Sequence, residues 1–409
     1  MKKLHAIMKK QSRIVGLMIC LVLFLNACGT FKKPATINEA PIHKRALAKE
    51  GNGILASAAV VGDEEARQIF GIDLSRKNIQ AIWLKIENNT DRPILLLPTA
   101  IDPEYFAPLE VAYAYHQSFA TDANAALDAY LLNLNFPIRS LIQPGSRASG
   151  YIFTNGSKGM KVIDVDLVGD NISQNFVFFA PNPDSTQGRD IINRIETMFS
   201  AAELQNVKSE VALREALEQL PCCVSNETGE PSAEPLNVVL IGAIEDWSTA
   251  FMRRGYIYQV LTPRYAFGRA QDISGKKLSR GYTKAQAYSI RLWQIPLRYH
   301  GKQVWIGQTS LRHGGRFAEK APGEVTLPLD PHVDEARINL IQDMAYSQAL
   351  LKIGFIKGSG RPQSTQAEAS SMNIQYTTDG LRVVLVFGDR PASLEGIDFF
   401  NWERLADYR

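Results

Sequence analysis

A run of polar side chains between residues 265 and 337 could do chemistry: Tyr265, Arg269, Gln271, Asp272, Arg291, Trp293, His313, Asp330, His332, Asp334 and Arg337. Three uses compete for them. Metal-assisted hydrolysis would draw on His313, Asp330, His332 and Asp334, which are suitable ligand types. No H-E-x-x-H or comparable spacing orders them, and Asp330 precedes Pro331 as a helix-capping residue would, so no metal or cofactor is expected. An anion-binding cleft would instead converge Arg269, Arg291, Arg312 and Arg316 on a phosphate or carboxylate, with Gly314 and Gly315 admitting the backbone. The third use is structural, with buried Arg–Asp pairs fixing loops. In YAFGRAQD an Arg stands three residues before an Asp, and Arg291 sits on an apolar run beside Leu292 and Trp293. An unpaired buried charge is costly, so Arg269, Asp272 and Arg291 are expected in one network. The candidate ligand-binding set is Arg269, Asp272, Arg291, His313 and Arg316. No catalytic residue is nominated: no G-x-S-x-G, Walker loop or S-x-x-K stands in a credible context, and Ser359, between Gly358 and Gly360, reads as linker.

The elements that must position these residues form an α+β unit over 235–409. PLNVVLIGAIEDWSTAFMRRGY predicts a buried strand from Leu236 to Ile241, then a helix ending in Arg253-Arg254 with Gly255 as its stop. QAYSIRLWQIPL and KQVWIGQTSL predict paired strands around a Tyr-His-Gly-Lys turn. LDPHVDEARINLIQDMAYSQAL is a helix opened by Asp330 and Pro331, LLKIGFIKG a strand, and NIQYTTDGLRVVLVFG a hairpin around Asp379-Gly380. The order is that of an α+β sandwich.

Residues 53–187 predict an immunoglobulin-like β-sandwich with a helical insertion. In QAIWLKIENNTDRPILLLP, Ile82, Leu84 and Ile86 make one aliphatic face, and the Asn-Asn-Thr-Asp cluster with Pro93 makes a turn. Val162, Asp164 and Asp166 alternate with Ile163, Val165 and Leu167, the pattern of a strand wet on one face. LEVAYAYHQSFATDANAALDAYLLNL is the insertion, with Thr121 or Asp122 as a cap, and TAIDPEYFAPLE is expected to pack against it. Residues 188–234 are expected to be a helical connector and linker, with the domain boundary in the stretch from Pro221 to Pro235. Cys222 and Cys223 inside it are expected as two small residues at a helix end, with a strained vicinal or intermolecular disulfide as the alternative.

The N-terminus carries Lys2, Lys3, Lys9, Lys10 and Arg13, then an apolar stretch from Ile14 to Leu25, too short for a span of about 20 residues. Leu25-Asn26-Ala27-Cys28 resembles the bacterial lipobox. That resemblance implies cleavage of residues 1–27 as a lipoprotein signal peptide, with diacylation of the Cys28 sulfur and acylation of its new amine. Gly29 rather than Asp favours the outer membrane by the sorting rule. Residues 28–52 are expected to be a tether. Loss of 1–27 removes five basic residues and no acidic ones, so the net charge of +3 becomes −2. Nothing in that balance points to nucleic acid.

The run from about Glu234 to Gly358 resembles the LssY-like C-terminal domain family, through LNVVLIG, YAFGRAQD, IRLWQIPL, VWIGQTSLRHGG and LDPHVDEAR in family order. The family's domain often follows membrane segments, which a lipid anchor replaces here. The resemblance implies no agreed activity. The expected function is a non-enzymatic binding, adaptor or assembly component in the cell envelope. It would be held by lipidated Cys28 in the inner leaflet of the outer membrane, facing the periplasm. Its partner would be an unknown envelope protein or an anionic envelope ligand. The alternative is a hydrolase acting on phosphorylated envelope lipid or polymer.

Overall fold

A computed structural model describes residues 30–102, 104–157, 159–185, 194–229, 231–277, 288–312, 330–359, 377–388, 392–403 and 405. The chain is mixed α+β with several sheets. Among the described residues no helix is long and apolar enough to cross a membrane.

The N-terminal part opens with helix α1 (Ala40–Arg45) and strands β1 (Leu47–Gly51) and β2 (Ile54–Val60), followed by α2 (Asp63–Phe70). Then come β3 (Ile79–Asn88), β4 (Ile94–Leu97), the single turn α3 (Pro98–Ile101), α4 (Pro108–Tyr113) and α5 (Thr121–Leu134). Strands β5 (Arg147–Asn155), β6 (Met160–Gly169) and β7 (Ile172–Pro181) complete it. Two antiparallel sheets result, β1-β2-β3-β5 and β4-β6-β7. The aliphatic face of Ile82, Leu84 and Ile86 packs with Ile94, Ile163, Val165, Leu167 and Phe178 in the core between them. Alternation on β3 puts Ala81 and Trp83 on the opposite face, where α2, α4 and α5 cover them through Phe70, Val111, Leu127 and Leu131. The Asn88–Arg92 turn works as expected, but it carries the chain from one sheet to the other. Asn88 donates to the Arg92 and Ile142 carbonyls, and Thr90 closes on Asn88.

Three expectations for this part are corrected. Residues 31–51 are not a free tether. Phe31 and Ile42 are buried in the helical core, Arg45 pairs with Glu65, and β1 joins the first sheet. The insertion is helical, but Ala120 stands at the N-cap of α5, and neither Thr121 nor Asp122 caps it. The polar face of β6 is not wet either: Asp164 is completely buried, because a helix of the C-terminal part lies over it.

That part begins with β8 (Gln205–Val207), α6 (Glu210–Glu218), β9 (Cys223–Ser225) and β10 (Pro231–Pro235). It continues with β11 (Val238–Ile241), α7 (Ile244–Arg253), β12 (Tyr256–Tyr258), β13 (Tyr265–Ala266) and β14 (Arg269–Ala270). The long strands β15 (Ile273–Lys277), β16 (Tyr288–Tyr299) and β17 (Lys302–Leu311) precede α8 (Val333–Tyr346), β18 (Leu350–Lys357), β19 (Leu381–Phe387) and β20 (Asp398–Phe399). The main sheet runs β12-β15-β16-β17-β11-β19-β18-β20, with β8 added beside β16. One face carries Val238, Leu240, Leu292 and Trp305 under α7 and α8. The other carries Val239, Ile241, Trp293 and Ile306 under α6 and the small sheet β10-β9-β13-β14.

The β16–β17 turn falls at His300 and Gly301, both at positive φ, as a tight hairpin requires. Residues 223–225 and 231–235, within the stretch expected as linker, are strand. Val224 is buried in the second core with Leu213 and Leu217, and the Leu236 amide donates to the Cys222 carbonyl. Cys222 and Cys223 are bonded to each other rather than standing as two free small residues. Their turn is held from both sides, since Arg382 also binds the Pro221 carbonyl. Helix α8 starts two residues after Pro331, with His332 at its N-cap; Asp330 accepts from the His332 amide instead. Of the hairpin expected around Asp379, residues 373–376 lie outside the described residues, and Thr377 bridges His332 rather than β19.

Candidate functional site

Arg269 and Asp272 meet as expected. A tight two-strand ribbon, β13 and β14, brings them to the start of β15. Arg269 Nη1 donates to Asp272 Oδ2 at 2.7 Å, and its other amino group donates to the Gln294 carbonyl. Asp272 also accepts from the Gln294 amide at 2.8 Å. Burial raises the Asp272 carboxyl, against the pull of Arg269 and these hydrogen bonds. Every strong group here has a partner, and the pair fastens the ribbon to β16. It is structural.

Arg291 lies elsewhere. It is one strand row from that pair, but its neighbours are set by sheet register. Ser274, Arg291 and Gln308 face one another across β15, β16 and β17, and Lys276, Ser289 and Ser310 form the next row on the same face. Arg291 is 8% exposed. Its contacts are long and neutral: Gln308 Oε1 at 3.3 Å and the Thr262 carbonyl at 3.5 Å. Its Nε is buried with no hydrogen-bond partner among the described residues. Burial, with Arg264 and Arg312 nearby, pushes its guanidinium down to about 10, against the attraction of Glu234. Lys276 is lowered by burial and then by Arg312 and Arg291.

Glu234 is the one carboxylate acting on Arg291 among the described residues. It is already engaged, accepting from Arg264 at 3.1 Å and from the Gln308 amide. Burial alone would raise its carboxyl, but these donors hold it below the usual range. Arg264, Lys276 and Arg312 therefore stand beside Arg291, and the one carboxylate acting on it among the described residues is committed to other donors. Like charges gathered in this way repel one another, and guanidinium groups suit phosphate or carboxylate oxygens.

The other candidates separate from this cluster. His332 Nδ1 meets the Thr377 hydroxyl at 2.9 Å, and Asp334 accepts from Thr378 and the Asp379 amide. Arg337, 1% exposed, grips both oxygens of Asp379 at 2.8 and 2.6 Å. These residues clamp the 377–379 turn to the start of α8. Among the described residues no group of three or more His, Cys, Asp or Glu side chains could hold a metal ion. His313, Arg316, Gly314, Gly315 and Cys28 lie outside the described residues.

Arg264, Lys276, Gln308 and Glu234 were not singled out from sequence. Ser274-x-Lys276, Ser289-x-Arg291 and Gln308-x-Ser310 do carry the two-residue period of one polar strand face. Only the register shows that the three segments lie side by side.

The family model described as LssY C-terminus matches residues 258–381, and the protein carries an LssY-like C-terminal domain there. The match runs from the last residue of β12 to the first residue of β19, and so takes in Arg264, Lys276, Arg291, Gln308 and Arg312, while Glu234 and the motif LNVVLIG precede it. No curated protein matches the chain.

Proposed function

We propose that this protein is a lipid-anchored, non-enzymatic binding component of the bacterial envelope whose LssY-like domain recognises an oxyanion, a phosphate or carboxylate, on an envelope partner. The observation that carries this reading is the basic cluster around Arg291: Arg264, Lys276 and Arg312 stand beside its buried guanidinium, and the one carboxylate acting on it among the described residues is already engaged by Arg264 and Gln308. The N-terminal sheets, four strands over three, read as an immunoglobulin-like sandwich with a helical layer added to one side. The lipobox-like stretch ending at Cys28 supplies the anchor, and Gly29 favours the outer membrane.

Two experiments test the reading. Titration calorimetry with inorganic phosphate and pyrophosphate should show saturable binding that Arg291→Met and Lys276→Met each weaken by tenfold or more, about 1.4 kcal/mol. Binding that neither variant changes removes the anion site. Separately, a clickable fatty acid should label the wild-type protein in cells and spare Cys28→Ser; equal labelling of both ends the anchor.

A further inference from the structure

The segment expected to hold the protein away from its membrane is folded. Phe31 packs edge-on against Phe119, with ring centroids 5.9 Å apart, and lies 5.8 Å from the Tyr130 ring. The Lys33 ammonium sits 5.5 Å from the centre of the same Tyr130 ring. Glu39 accepts from the Tyr151 hydroxyl at 2.5 Å, and Ile42 is fully buried. Phe31 is therefore already anchored in the core. Two residues separate Cys28 from Phe31, three steps of chain with a reach of at most about 11 Å. A protein acylated at Cys28 has no slack, and its helical layer must stand at the lipid surface.

That layer is suited to the place. On α4, Leu109 and Tyr113 are four residues apart and so share one stripe. They are 45% and 74% exposed, and Tyr113 is the most exposed large hydrophobic side chain among the described residues. Glu110 lies one position on, about 100° round the helix. Helix α4 runs directly into the turn His116–Ser118, which ends at Phe119, the residue that receives Phe31. The six residue steps from Tyr113 to Phe119 span at most about 22 Å. Lys32 and Lys33 are exposed at the point where the chain enters. Aromatic and aliphatic side chains beside lysines are the composition that settles at the headgroup level of a bilayer.

We infer that the exposed stripe of Leu109 and Tyr113, with Lys32 and Lys33, is a membrane-contact surface that seats the N-terminal domain on the phospholipid leaflet and presents the C-terminal domain from a fixed base. The inference rests on the lipid-anchor reading, so its test holds the chain at a membrane by other means. The mature chain, carrying a histidine tag in place of Cys28, is captured on vesicles of phosphatidylethanolamine, phosphatidylglycerol and a nickel-chelating lipid. Amide exchange over residues 108–119 should slow by about tenfold on capture. It should return towards its solution rate in Leu109→Ser/Tyr113→Ser, whose exposed positions leave the fold intact. Unchanged exchange over 108–119, or slowing confined to other segments, overturns the contact surface whether or not Cys28 is acylated. Failure of fatty-acid labelling at Cys28 with slowed exchange on vesicles removes the anchor and keeps the surface. In cells, a photocrosslinking amino acid at position 113 should join phospholipid. Crosslinks to protein alone assign the stripe to a protein partner and overturn the inference.

Discussion

Two regions of the same sheet use buried arginines in opposite ways. Arg382 is fully buried and donates to the carbonyls of Leu217, Leu220, Pro221, Leu236 and Gly358, tying α6 and the Cys222-Cys223 turn to β19. Arg269 and Arg337 hold carboxylates at hydrogen-bond distance. Arg291 has only long contacts to neutral oxygens, and further cations beside it. An orphaned nitrogen alone does not separate the cases, since Arg337 Nε is also unpartnered. What separates them is whether the positive charge is answered. An answered arginine joins elements of the fold. One left among like charges is expected to add little to the fold.

The contrast can be broken by substitution. Arg382→Met should have the largest effect, because several buried carbonyls lose their donor together, each at about 1–3 kcal/mol. A loss of about 5 kcal/mol is expected in urea denaturation, and a loss under about 1 kcal/mol would mean that water replaces the guanidinium. Arg269→Ala should follow at about 3–5 kcal/mol, since it strands the buried Asp272 carboxylate. The same change should leave phosphate binding intact, and a loss of binding with unchanged stability would move Arg269 into the ligand site.

A third test concerns Asp164, at the seam between the two parts of the molecule. Arg253 of α7 reaches Asp164 at 2.7 Å and Asp166 at 3.3 Å, and Asn175 donates to both carboxylates. Burial nevertheless pushes Asp164 up to about 6 from 3.8, with Asp166 adding to the rise and Arg253 opposing it. A raised carboxyl favours the folded state below its unfolded value, and that benefit is lost as pH rises through about 6. Over that window the contribution is about 3 kcal/mol. The difference in denaturation midpoint between wild type and Asp164→Asn should change between pH 4 and pH 7 in that sense. A constant difference would mean that Arg253 keeps Asp164 ionised throughout. The smallest effect belongs to Arg291→Met: a change within about 1 kcal/mol, or a gain in stability from relieved repulsion. A large loss would make Arg291 one more structural arginine and dissolve the comparison.

Much of the fold was legible because it rests on local periodicity. The aliphatic face Ile82-Leu84-Ile86, the strand-to-helix passage into α7 and the hairpin at His300-Gly301 all follow from spacing and turn chemistry. The helical layer was legible in its Ala- and Leu-rich composition, although its cap was not. The site was legible only in part. Arg269 and Asp272 are close in sequence and could be paired on sight, while the partners of Arg291 come from residues 234, 264, 276, 308 and 312.

The sequence by itself determined which faces are apolar, where turns fall and which side chains could bind an anion, because those properties belong to short stretches of chain. Tertiary structure decided which charges are answered. Asp164 looked like a solvent-facing residue on an alternating strand until α7 covered it. The segment 31–51 looked like tether because its few anchors, Phe31, Ile42 and Arg45, find partners at residues 119, 130 and 65, which no local pattern announces. Burial and charge compensation depend on what arrives from distant parts of the chain, and there the long-range packing had the deciding role.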